Sequence, residues 1–206
     1  MLRQILDIPQ RKIFYITENP GPASFLIVDD KAGGVLVNTP IFSKALLEQI
    51  THLTPVNFLF LPSKLGAKHL DQWKSATKAD AISHEIEASA IGPLVDITVN
   101  HKTKLTRTMD FVPMAGRTSG TCALFLKNLP GVLFLGPALS SANHNWPALV
   151  EHSDDSCFEN RIFGILGLKE LKYDYVFTDD FNLKTSKFGP KASTEVNKNI
   201  MRFFQG

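Results

Sequence analysis

At 206 residues with 44% apolar and 20% charged side chains, the chain can build one domain, 1–206, with a sizeable core; two domains would each be small. A net charge of +2 makes no general case for nucleic-acid binding, and no stretch approaches the roughly 18 to 20 apolar residues of a membrane span. The opening MLRQILDIPQRK breaks its apolar pattern at Asp7 and Pro9, so it lacks a secretory h-region, and the two cysteines lack metal-site spacing; the expectation is a cytoplasmic protein.

In chain order, Lys12 to Thr17 and Ala23 to Asp29 predict strands, being rich in β-branched and aromatic residues, with Asn19-Pro20-Gly21-Pro22 as the turn between them. Lys31 to Gly34 turns into Val35 to Asn38 and completes an antiparallel meander; Gly33-Gly34 lacks the lysine and helix of a phosphate loop. Ser43 caps a predicted helix whose apolar positions Ala45, Leu46, Ile50 and Leu53 fall at helical spacing. Asn57 to Leu61 (NFLFL) is a continuous apolar run, as in a strand buried on both faces. Gly66 to Thr77 reads as a helix and Ala81 to Ser83 as a short strand, so the meander passes into β-α-β units. Glu87 to Arg107 alternates weakly through Leu94, Ile97 and Val99 and predicts edge strands.

The stretch from Asp110 to Ser141 organises the second half. An extended run ends at Pro113, a turn of small residues covers Ala115 to Gly120, and strands follow at Thr121 to Lys127 and Val132 to Leu135. Asp110 reads as a turn acid, and Cys122 as a small hydrophobe inside an apolar strand. Asn143 to Ser156 is polar and reads as a loop; Cys157 to Leu171 predicts a helix weakened by Gly164 and Gly167. Tyr173 to Thr178 is a strand and Thr194 to Phe204 a terminal helix. The basic residues from Lys184 to Arg202 read as a solvated face. No repeat or linker interrupts the chain.

Ala115-Gly116-Arg117-Thr118-Ser119-Gly120, followed by a strand pair and Phe134-Leu135-Gly136-Pro137, resembles the metallo-β-lactamase-fold superfamily, mostly zinc- or iron-dependent hydrolases. Its members typically read proline-glycine-histidine-threonine-x-glycine and then phenylalanine-threonine-glycine-aspartate. A bacterial subgroup is similar at Val37 to Ser43 and at Ile82 to Glu85, and the resemblance spans roughly Phe14 to Asp180. It implies an α/β fold, a four-layer αββα sandwich of two mixed sheets flanked by helices. It also implies metal ligands, and those are missing. Arg117 stands at a histidine position and Pro137 at the bridging aspartate. The family's threonine-histidine-x-histidine-x-aspartate-histidine run falls on Pro62 to Lys68, where Ser63, Leu65, Ala67 and Lys68 replace the donors. Asp179 or Asp180 stands near the last ligand position, and one carboxylate does not hold zinc.

The expectation is therefore a catalytically silent protein with no metal and no cofactor, binding a small, anionic ligand or a protein partner, with neither nucleic acid nor membrane as partner. Ser63, Lys64, Lys68, Arg117, Thr118 and Ser119 are the candidate cleft residues, with Asp179 and Asp180 as counter-ions; an Arg117 bridge to Asp180 or Asp179 would replace the metal as a tie. The alternative is a hydrolase whose zinc or iron site is rebuilt from His144, His152, Asp154 and Asp155. A homodimer formed through Trp146 and Phe188 is a third reading. Ser119 lacks the first glycine of a nucleophile elbow, and His84 reads as a hydrogen-bonded structural histidine.

Overall fold

The computed structural model describes residues 1–17, 19–141 and 146–205. They fall into two compact units, Met1–Val99 and Asn100–Gly206, each with its own sheet and its own apolar cluster. Among the described residues no helix is long and apolar enough to cross a membrane.

The first unit is a seven-stranded sheet whose spatial order follows the chain: β1 (Leu2–Ile8), β2 (Arg11–Ile16), β3 (Ser24–Asp29), β4 (Gly33–Val37), β5 (Val56–Leu61), β6 (Asp80–His84) and β7 (Ile97–Val99). The first four pair antiparallel and the remainder parallel. Parallel neighbours need a crossover, and α1 (Lys44–Leu53), α2 (Leu70–Thr77) and α3 (Glu85–Ile91) supply the three. α1 starts as its sequence predicts, with the Ser43 hydroxyl accepting the Leu46 amide at 3.2 Å. Leu46, Ile50, Leu70 and Trp73 pack with Leu26, Leu36, Leu59 and Leu61 of the strands.

Three elements of this unit depart from expectation. Leu2–Ile8, for which no element was expected, is a strand: it lies at the sheet edge and takes its order from pairing with β2. Glu85–Ile91 is a helix where edge strands were predicted: Glu, Ala and Ser favour helix over strand, His84 caps its start and Gly92 ends it at φ +97°. α2 begins at Leu70 rather than Gly66, since Lys64–Gly66 closes as a short 3-10 turn.

The second unit carries β8 (Lys104–Thr106), β9 (Met109–Pro113), β10 (Cys122–Leu126), β11 (Val132–Phe134) and β12 (Tyr175–Phe177), in the order β12-β11-β10-β9-β8. Only β11 and β12 run parallel, so both sheets are mixed. α4 (Phe158–Leu166) and α5 (Ala192–Gln205) bury Ile165, Val196 and Ile200 against Leu133, Leu135 and Val176. Gly164, weak in a helix by propensity, lets α4 approach the Met114 backbone: an added Cβ would lie 3.2 Å from Met114 Cα. Asp110 is a strand residue of β9 rather than a turn acid, paired with Lys127 at 2.9 Å. Phe188 is half-buried among Phe177, Phe181 and Tyr175, and Trp146 packs on the core, so neither presents the free apolar surface expected of it.

Candidate functional site

In an open sheet, chemistry collects where parallel strands end. In the first unit β4, β5 and β6 end at Val37, Leu61 and His84. The loop after β5 is fastened from three sides. Ser63 is fully buried and its hydroxyl accepts the Leu65 amide at 3.3 Å. The Lys64 amide donates to Glu87 Oε1 of α3 at 2.6 Å, and Glu87 is 1% exposed. The Gly66 carbonyl accepts both the Thr39 amide at 2.8 Å and the Thr39 hydroxyl at 2.6 Å. Leu65, Lys64 and Lys68 remain exposed. His84 is buried, and its Nδ1 accepts the Ile86 amide at 3.3 Å, the structural role its sequence position suggests. Burial lowers the His84 pKa, against the opposing pull of Glu85 and Glu87.

In the second unit β9, β11 and β12 share one direction and β10 opposes them. β9, β11 and β12 therefore finish at the same end of the sheet. There Thr118 is buried, its hydroxyl 2.7 Å from that of Thr121, which also accepts the Thr118 amide at 3.0 Å. Ser119 is exposed and donates to the Ser156 hydroxyl at 3.3 Å. Arg117 does not bridge to Asp179 or Asp180. It pairs with Asp154 at 3.0 Å and with Asp155 at 3.6 Å, because the polar loop before α4 reaches it first. Its hydrogen bond holds the Asp154 carboxyl below the ordinary range. Asp180 instead accepts the Ser141 amide at 2.9 Å and the Thr178 hydroxyl at 2.7 Å, and also takes the Ser140 hydroxyl. The Asp179 amide donates to the Gly136 carbonyl at 3.0 Å.

Arg161, like Glu87, is a residue that sequence reading missed. It lies on the buried stripe of α4, four positions before Ile165, and is 1% exposed. Its guanidinium donates to the carbonyls of Ala138 at 2.8 Å, Val150 at 2.7 Å and Pro137 at 3.4 Å, and to Asp155 at 2.9 Å. Burial lowers its pKa and Asp155 opposes the shift. Asp155 thus joins Arg161 to Arg117. A charged side chain on an otherwise apolar helix stripe was the available signal.

These residues do not fit a metal. Ser63, Leu65, Ala67, Lys68, Arg117 and Pro137 offer no set of deprotonated donors, and Asp154 and Asp155 are engaged by arginines. Among the described residues no group of three or more His, Cys, Asp or Glu is placed to hold an ion. His152 belongs to no such group, and His144 lies outside the described residues.

No family model and no curated protein matches the chain. Solved structures do. DIM-1 metallo-β-lactamase is 12% identical, with 98% of each chain covered and a TM-score of 0.71. A B3 metallo-β-lactamase with an active-site glutamic acid is 16% identical over 94% of this chain and 86% of that one, TM-score 0.66. The chemotaxis sensor ODP, solved as a peroxy diiron species, is 13% identical over 99% and 94%, TM-score 0.66. This chain has the metallo-β-lactamase fold, with two mixed sheets and five α-helices among the described residues.

Proposed function

We propose that the chain is a non-catalytic protein of the metallo-β-lactamase fold that acts by binding a small anionic ligand, with its former metal positions converted to internal ties. One observation carries the reading. The loops that would present metal donors are held by the protein's own polar side chains: Glu87 on the Lys64 amide, Arg161 on the Pro137 and Ala138 carbonyls, Asp180 on Ser140, Ser141 and Thr178. A metal orders such loops in metalloproteins, and here other bonds occupy them. Two free thiols, one of them buried, agree with a reducing compartment such as the cytoplasm.

The test is elemental analysis of protein purified without chelator or metal-binding tag, repeated after incubation with zinc, iron and manganese and removal of excess. Metal well below one equivalent per chain supports the proposal. A stoichiometric ion surviving that removal overturns it and favours a rebuilt hydrolase site.

A further inference from the structure

The cationic side chains are not equivalent as anion receivers. Arg117 and Arg161 are neutralised by Asp154 and Asp155, and Lys198 by Glu195. In the first unit, the cavity beside Asp7 and Asp30 sets those acids against Arg11 and Lys12, and the cavity beside α2 sets Asp71, Asp80 and Asp96 against Lys74 and Lys78. One groove differs. It lies between the Asn19–Pro22 turn and the loop after β5, has a volume of about 310 Å³, and is lined by Pro20, Pro22, Leu65, Lys68 and His69 among others. No described lining residue is acidic.

We infer that this groove is the seat of the ligand, and that it takes a small phosphate monoester or carboxylate with an apolar body, the anion on Lys68 and His69 and the body on Pro20, Pro22 and Leu65. The inference rests on the ligand-binding reading above and assigns its place and chemistry.

Charge selects the sign of the ligand. The Lys68 ammonium and the His69 ring make no hydrogen bond or ion pair with a described residue, so their donors are available. Asp71, the acid nearest to them in sequence, lines the other cavity with Lys74 and Asp96, two positions round the helix from His69. His69 is also the N-cap of α2 and forms no side-chain cap bond, so the positive end of that helix adds to the preference for an anion.

Rigidity and shape select its size. The Asn19 side chain donates to the Pro22 carbonyl at 3.0 Å and accepts the Ile41 amide at 3.1 Å, which fixes the turn as one wall. Thr39 holds the opposite wall through Gly66 and accepts the His69 amide at 3.3 Å. A preformed groove loses little entropy on binding, and this volume lies at the small end of ligand sites. Leu65, 39% exposed and lining the same groove as Lys68, gives an apolar surface that inorganic phosphate would leave unused.

Titration of the full chain with phenyl phosphate, benzoate, inorganic phosphate and neutral benzyl alcohol, followed by amide chemical shifts, tests this. Phenyl phosphate or benzoate should perturb Gly21, Gly66, Lys68 and His69, and benzyl alcohol should not. Lys68→Gln should weaken the better anion about tenfold, the scale of one charge-assisted hydrogen bond. Leu65→Ser should weaken phenyl phosphate or benzoate and leave inorganic phosphate unaltered, and Lys184→Gln should change nothing. Both altered groove residues are exposed, so folding is not at stake. Anion binding that survives Lys68→Gln overturns this seat while leaving the ligand-binding reading in place. No binding by any anion overturns the seat, and stoichiometric metal in the same preparation overturns the reading beneath it.

Discussion

Glu87 carries its carboxylate into the interior at the first turn of α3, where the positive end of the helix favours negative charge. A buried carboxylate is tolerable only when it is hydrogen-bonded, and the Lys64 amide at 2.6 Å answers that need. The bond also answers a need of the loop, since a buried amide left without an acceptor is unfavourable. Replacing the carboxylate by an apolar group removes both benefits at once. Glu87→Leu should lower stability by about 1–3 kcal/mol in urea denaturation, and Glu87→Gln, which keeps an oxygen acceptor, by less than that. Equal losses in the two variants would mean that packing around residue 87 matters and the Lys64 bond does not. Cys122 is a simpler case: burial pushes its thiol up to about 12, so it stays protonated at neutral pH and behaves as the small hydrophobe its strand suggests.

The turn from Ala115 to Gly120 joins β9 to β10 and is shaped by the helix that packs on it. Gly116 has φ +131°, a region that side chains rarely enter, and a Cβ there would collide with the Arg161 backbone nitrogen and Cα. The same glycine carbonyl accepts the Cys157 amide at 3.0 Å, which seats the start of α4. Gly116→Ala should therefore destabilise by about 2–4 kcal/mol, combining backbone strain with displacement of α4. A change in urea midpoint no larger than that of an exposed control would show that the turn has another way to relax. Periodicity made most elements legible: the meander strands, α1 with its Ser43 cap, and the apolar runs of β5, β10 and β11 all follow from residue type. β1 was not legible, because Arg3-Gln4 and Asp7 break its alternation and an edge strand owes its order to a neighbour. α3 was hidden by weak alternation downstream, and with it went Glu87. The departures from the family's motifs at Pro62–Lys68, Arg117 and Pro137 can be read from the chain, whereas the bonds that hold these loops join residues far apart in sequence: Lys64 to Glu87, Pro137 to Arg161, Arg117 to Asp154.

At the scale of the whole molecule, the proposed metal-free reading requires that something other than a metal supply the free energy that coordination contributes in metalloproteins. A bound structural ion adds its binding free energy to folding, so removing it lowers the melting temperature. Here each unit has an apolar cluster of its own, and the ends of its parallel strands are closed by Glu87, Arg161 and Asp180. Such closures differ from a metal in a measurable way: a buried ion pair such as Arg161 with Asp155, at 0% and 4% side-chain exposure, is insensitive to chelation. The melting temperature of the intact chain should therefore be the same with and without an excess of EDTA, and addition of zinc or iron should not raise it. A fall of about 4 °C on chelation would correspond to about 2 kcal/mol for a chain of this size, and would mean that an ion holds part of the fold. Glu87→Leu sharpens the measurement. If internal ties have taken over the metal's role, the variant melts lower than the parent by the same margin in EDTA and in zinc; if zinc restores it, the loop after β5 still has access to a metal.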